Sequence, residues 1–176
     1  MIIAEQKKKE NIVEYILYIR QIQEILRANK FDINKIEELV INKYDVSDSI
    51  KDEIRNWYTD LILAMKQEKI EESGDLELIK ILIKNLDYIH DSLLKDPEDF
   101  KHKELFRWAE PNIKEYRNLS NADKESDVEV CINAINSLLL LRLKNQAISE
   151  ETAQAMQTFT NLLANIALHY HQKDVN

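Results

Sequence analysis

Residues 137–143 read Ser137-Leu138-Leu139-Leu140-Leu141-Arg142-Leu143. Leucine at nearly every step leaves a helix here no polar face, and a helix that is apolar all round needs neighbours all round. The stretch from 127 to 143 is therefore expected at the centre of the fold, with amphipathic helices gathered against it. Little competes with the helical reading. One glycine and two prolines in 176 residues leave almost no chemistry for tight β-turns, and every apolar run of useful length repeats at three and four. The expectation is a compact all-α bundle of six to eight helices around that leucine-rich helix. A chain of this length is read as one domain over residues 1–176, able to bury about 70% of the surface its unfolded form exposes.

The chain in order predicts the following elements. A first helix over residues 8–28 carries Ile12, Ile16, Ile19, Ile22 and Leu26 on one stripe. A short one follows, capped by Asp32 or Asn34, with Ile36, Leu39 and Val40 inward. Ser49 and Asp52 resemble a capping box for a third helix, with Ile50, Ile54, Trp57, Leu61 and Met65 inward and Gly74 as its end. The fourth helix, residues 75–95, has two apolar stripes: Ile79, Leu82, Leu86, Ile89 and Leu93 on one, Leu78, Ile81 and Tyr88 on the other. Asp96 and Pro97 fit the start of a fifth, with Phe100, Leu105, Phe106 and Trp108 as its apolar side and Pro111 as a break or kink. Ser126 and Glu129 form a capping box for the leucine-rich helix, although Ser120 or Asp123 would cap it earlier. Ser149 opens a last helix with Ala153, Met156, Phe159 or Thr160, Leu163, Ile166 and Tyr170 inward, and the tail from 172 to 176 is expected to fray.

A net charge of −8 disfavours nucleic acid as a partner, because Lys and Arg on phosphates dominate that affinity. Lys7-Lys8-Lys9 is flanked by Glu5 and Glu10 and reads as a solvated helix start. Met1-Ile2-Ile3-Ala4 gives way at once to Glu5-Gln6-Lys7, so no apolar stretch has signal-peptide or membrane-span length. The lone Cys131 forms no internal disulfide, which agrees with a reducing compartment. A cytoplasmic protein without a membrane partner is expected.

Two Asp-x-x-His pairs, Asp87 with His90 and Asp99 with His102, carry the sharpest chemical hint, since residues three apart on a helix can aim at one metal ion. Carboxylate-bridged di-iron bundles use Glu-x-x-His pairs plus two further inward glutamates. Here Asp stands in place of Glu, and the first helix offers no acid within its main stripe. The preferred reading is an acid in a helical first turn beside a surface or boundary histidine. His90 then lies at the edge of its stripe and should tolerate alanine, and no cofactor is expected. His169 and His171, two apart, diverge on a helix and are expected partly exposed. Cys131 aligns with Val128, Ile135 and Leu138 and reads as a small buried hydrophobe. Trp57, Tyr58, Phe106, Trp108 and Tyr116 would line a pocket between helices or, by the area they bury, belong to the core.

The opening from Met1 to Ile12, Met-Ile-Ile-Ala-Glu-Gln-Lys-Lys-Lys-Glu-Asn-Ile, running into Tyr15-Ile16-Leu17-Tyr18, resembles the start of an uncharacterised family of small all-helical bacterial proteins classed as a domain of unknown function. That resemblance implies a helical fold across essentially the whole chain and brings no catalytic residues with it.

The leading functional expectation is a non-enzymatic interaction or scaffold protein that self-associates. A homodimer would cover Leu78, Ile81 and Tyr88, because one patch then serves both subunits of a two-fold pair. The alternative is a bundle that holds a metal ion or small ligand between helices, with His90 and His102 first to test.

Overall fold

The spacing of three and four that runs through the apolar residues yields helices throughout. The structure, a computed structural model, describes residues 2–173, and among them are eight α-helices, one 3-10 turn and no strand. They cluster into two compact units, one of residues 2–10 and 14–81, the other of residues 11–13 and 82–173. Among the described residues no helix is long and apolar enough to cross a membrane.

The first unit is organised by α2 (Ile12–Ala28), whose Ile16, Ile19, Ile22 and Leu26 are buried on the stripe the sequence predicts. The helix expected over 8–28 is in fact two. Helix α1 (Ile2–Glu10) ends before Asn11, whose side-chain oxygen accepts from the Val13 N–H at 3.0 Å and so caps α2. Helix α3 (Ile33–Leu39) is capped by Asp32, which accepts from the Asn34 N–H at 3.0 Å. It buries only Ile36, leaving Leu39 exposed, and a 3-10 turn over Ile41–Lys43 follows. Helix α4 (Asp48–Gln67) starts behind Ser47, not at the Ser49 box, and ends well before Gly74. Its buried stripe is Ile54, Tyr58, Ile62 and Met65, so the helix is rotated from the face expected through Trp57 and Leu61.

The segment after α4 is shaped by polar residues of α2. Lys69 takes a left-handed φ of 57°, ending the helix, and Gly74 supplies a φ of 99° further on. Arg20 donates to Asp75 at 2.6 Å, Gln23 donates to the same carboxylate at 3.0 Å, and the Leu76 N–H donates to Gln23 at 2.9 Å. Arg27 reaches the Ile70 carbonyl at 3.0 Å. Arg20 and Gln23 are themselves buried, so their pairing with this segment satisfies groups that would otherwise be costly to enclose.

Helix α5 (Glu77–Lys95) enters the second unit at Leu82 and buries Leu82, Leu86 and Ile89 as expected. In α6 (Phe100–Ser120) the cap is Asp99, which accepts from the His102 N–H at 2.8 Å, whereas Asp96 accepts from Glu98 in the preceding turn. Pro111 does not interrupt α6. It lies on the exposed side, where the carbonyl that its missing N–H would have served can face water. The inward residues of α6 are His102, Ala109 and Ile113, while Phe100 and Trp108 are exposed. Ser126 caps α7 (Asp127–Leu143) through the Glu129 N–H at 3.1 Å, as the capping box predicts. Ser149 likewise caps α8 (Glu150–Lys173) through the Thr152 N–H at 3.1 Å. Residues 174–176, part of the tail expected to fray, lie outside the described residues.

Helices α6, α7 and α8 pack pairwise. The expectation that residues 137–143 are enclosed on every side needs correction. Helix α7 is buried through Val128, Val130, Cys131, Ile132 and Ala134, but beyond Ala134 only Leu138 is, and Leu141 and Leu143 are 37% and 72% exposed. Of the run, Leu138 and Leu141 border an open groove.

Candidate functional site

Two features of the second unit collect its chemistry. The first is a buried polar chain. His90 follows Ile83 and Leu86 at spacings of three and four, which carries it to the inward face of α5, and His102 shares the inward stripe of α6 with Ala109 and Ile113. They are 3% and 0% exposed, so neither is the surface or boundary histidine expected from the sequence. Nδ1 of His90 lies 2.8 Å from Nε2 of His102, with the rings edge to face at 5.0 Å, and Phe106 packs edge-on against His90 at the same separation. The other nitrogen of His102, Nδ1, accepts from the Asn165 side-chain amide at 3.1 Å.

The proton positions follow from the far end of this chain. Nε2 of His90 faces Oδ2 of Asp127 at 3.9 Å, beyond hydrogen-bond range, and Arg117 donates to Oδ1 of the same carboxylate at 2.9 Å. A bare nitrogen turned toward a carboxylate would be repelled, so the His90 proton belongs on Nε2. Nδ1 of His90 then accepts from Nε2–H of His102, whose Nδ1 accepts from Asn165. All three side chains are thereby aligned, with His102 as the neutral ring. Burial, with the neighbouring His90 adding to it, lowers His102 to about 4. The His90 N–H and the Arg117 guanidinium hold the Asp127 carboxyl below its ordinary range.

The two Asp-x-x-His pairs are thus not used as pairs. Each histidine meets the other, Asp99 caps α6, and Asp87 sits by Ser126, its carboxyl lifted to about 6 chiefly by burial. Asp99 also lies 3.7 Å from Nε2 of His169, whose Nδ1 bonds the Asn165 carbonyl at 2.9 Å. His171 turns elsewhere, accepting from the Ile12 N–H at 3.3 Å. Among the described residues, no three His, Cys, Asp or Glu side chains form a group that could hold a metal ion. Cys131 is fully buried, as expected, and burial raises its thiol well above the usual range.

The second feature is an open cavity of about 310 Å³ between α6, α7 and α8. Tyr116 and Leu119 supply one wall, Leu138 and Leu141 another, Met156 and Phe159 the third. Polar groups in the walls have partners: the Tyr116 hydroxyl bonds Ser137 at 3.1 Å, and Asn112 donates to Thr158 at 3.1 Å. Glu115 and Glu151 also line the cavity, and no Lys or Arg does. Of the five aromatics considered for a pocket, only Tyr116 lines it. Tyr58 is core in the first unit with Trp57 edge-on at 5.1 Å, Phe106 covers His90, and Trp108 is exposed beside Arg107. The signal for the groove was the leucine run itself, which has more apolar sides than one core can use.

No curated protein and no solved structure matches the chain in comparison. The model of a family described as a domain of unknown function, DUF4924, matches residues 1–176, and the chain belongs to that family.

Proposed function

We propose that this chain is a non-enzymatic binding protein whose working surface is the groove between α6, α7 and α8. The observation that carries the reading is the groove's lining: apolar side chains from three helices facing a cavity of about 310 Å³, at the lower end of the range small-molecule sites occupy. The buried histidines are not among its lining residues, so the polar chain acts as internal structure. A cytoplasmic location fits this reading, supported by the lone buried Cys131. The test is titration with N-phenyl-1-naphthylamine, an uncharged apolar fluorophore. It should bind at one site per chain, and Ala155→Phe, which places a ring in the groove, should abolish that site. A folded Ala155→Phe protein that binds like the wild type would remove the reading.

Self-association is a second reading, favoured by the exposure of Leu78, Ile81 and Tyr88 on α5, at 46%, 47% and 68%. A second copy covering these residues would account for so much apolar surface on one helix. Light scattering on the wild type and on Ile81→Glu tests it: a dimer made monomeric by the substitution supports it, and a wild-type monomer at micromolar concentration rejects it.

A further inference from the structure

We propose that the ligand of the α6–α7–α8 groove is a small organic cation, with an apolar body between Leu138, Leu141, Met156 and Phe159 and an ammonium or guanidinium head at Glu115 and Glu151. The inference rests on the groove being a binding site and adds the chemical class of its occupant.

Charge complementarity carries it. The two acidic side chains of the lining are both glutamates, and no lysine or arginine answers them there. Both glutamates are exposed, and among the described residues neither has an ion-pair partner, whereas Glu110, one turn before Glu115 on α6, is paired with Lys114 at 2.7 Å. Glu151 lies in the first turn of α8, where the helix dipole favours a negative charge. The Tyr116 hydroxyl bonds Ser137 and the Asn112 amide bonds Thr158, which leaves the carboxylates as the strongest free acceptors of the lining. An anionic ligand would meet like charge with no counter-ion in the walls, and a neutral one would leave both carboxylates unused. The compactness of the cavity favours a small molecule over a partner helix, which would need a longer trough.

Three probes of one shape separate the possibilities: 4-phenylbutylamine, 4-phenylbutan-1-ol and 4-phenylbutanoate, each competing against bound N-phenyl-1-naphthylamine. The amine should compete better than the alcohol by a factor on the order of three to ten, the size expected for solvent-exposed ion pairs, and the carboxylate worst of all. Raising the salt concentration should narrow the gap. In the double variant Glu115→Gln with Glu151→Gln, isosteric and on the surface, the amine should lose its advantage over the alcohol. Equal competition by amine and alcohol, or an advantage that survives the double variant, overturns the cation and leaves the groove standing. If the fluorophore itself fails to bind the wild type, the groove reading fails and the cation with it. A wild-type dimer that Ala155→Phe turns into a monomer would put a second copy in the groove and also overturn the proposal.

Discussion

Nδ1 of His90 lies 2.8 Å from Nε2 of His102, and this bond joins α5 to α6 inside the second unit. Each ring depends on the other, because water does not reach either one. Removing one partner leaves a buried nitrogen unsatisfied, which costs about 1–3 kcal/mol. His90→Leu and His102→Leu should therefore each destabilise the protein by that amount or more, His102→Leu further because it also strands the Asn165 amide. The double variant should cost clearly less than the sum. Denaturant unfolding of the four proteins checks this, and strict additivity would show that the bond carries no coupling. Alanine at His90, which the sequence alone marks as harmless, is expected to be costly.

Acid should weaken the fold through His102. In the folded protein this ring takes up its proton only near pH 4, against 6.5 for an ordinary histidine. Between those values the unfolded chain holds more protons, so this contribution to stability is complete above about pH 6.5 and is lost as the pH falls toward 4. Asp87 acts in the opposite sense. Its carboxyl, lifted to about 6, keeps in the folded state a proton that the unfolded chain releases, so acidification through that range adds stability. Comparison with His102→Gln isolates the first effect, since both proteins retain Asp87. Gln keeps a donor for His90 without the titrating ring. The stability advantage of wild type over His102→Gln should shrink by about 2 kcal/mol between pH 7 and pH 5. An advantage that is flat across this range contradicts the assignment.

The leucine run should divide into two classes. Leu138 is buried, and Leu138→Asp places an unpaired charge in the interior, a cost of several kcal/mol that should unfold the second unit. Leu143→Asp, at a highly exposed position, should leave the melting temperature within a degree or two. Leu141→Asp should fold, because the side chain already meets solvent, but should lose fluorophore binding. Circular dichroism melts together with the titration check all three. Loss of the fold in Leu141→Asp would restore the enclosed helix that the sequence implies.

What the sequence discloses here is periodicity, and periodicity reports which residues face inward but not what they meet. The stripes of α2 and α5 and the caps at Ser126 and Ser149 are local relationships, and they are legible at once. Asn11 as a cap was hidden because the apolar repeat runs straight past it from α1 into α2. Apolar character alone puts Phe100 and Trp108 on the inward side of α6, whereas the stripe through His102, Ala109 and Ile113 decides its face. His102, in a helical first turn beside Asp99, reads from sequence as a surface or boundary histidine. A polar residue on an apolar stripe is the pattern of a buried bond whose partner lies elsewhere in the chain, and the same pattern marks His90 after Ile83 and Leu86, and Asn165 among Leu162, Leu163 and Ile166. The groove was still harder to read, since it depends on three helices leaving part of α7 uncovered.

The most direct test of groove binding uses the methionine methyl groups. Met156 lines the groove, and Met65 is fully buried in the first unit. In protein carrying ¹³C-methyl methionine, titration with 4-phenylbutylamine should shift the Met156 resonance saturably while that of Met65 stays in place, and Ala155→Phe should abolish the shift. A Met156 signal unmoved at saturating amine, or a shift that persists in folded Ala155→Phe, would contradict the account.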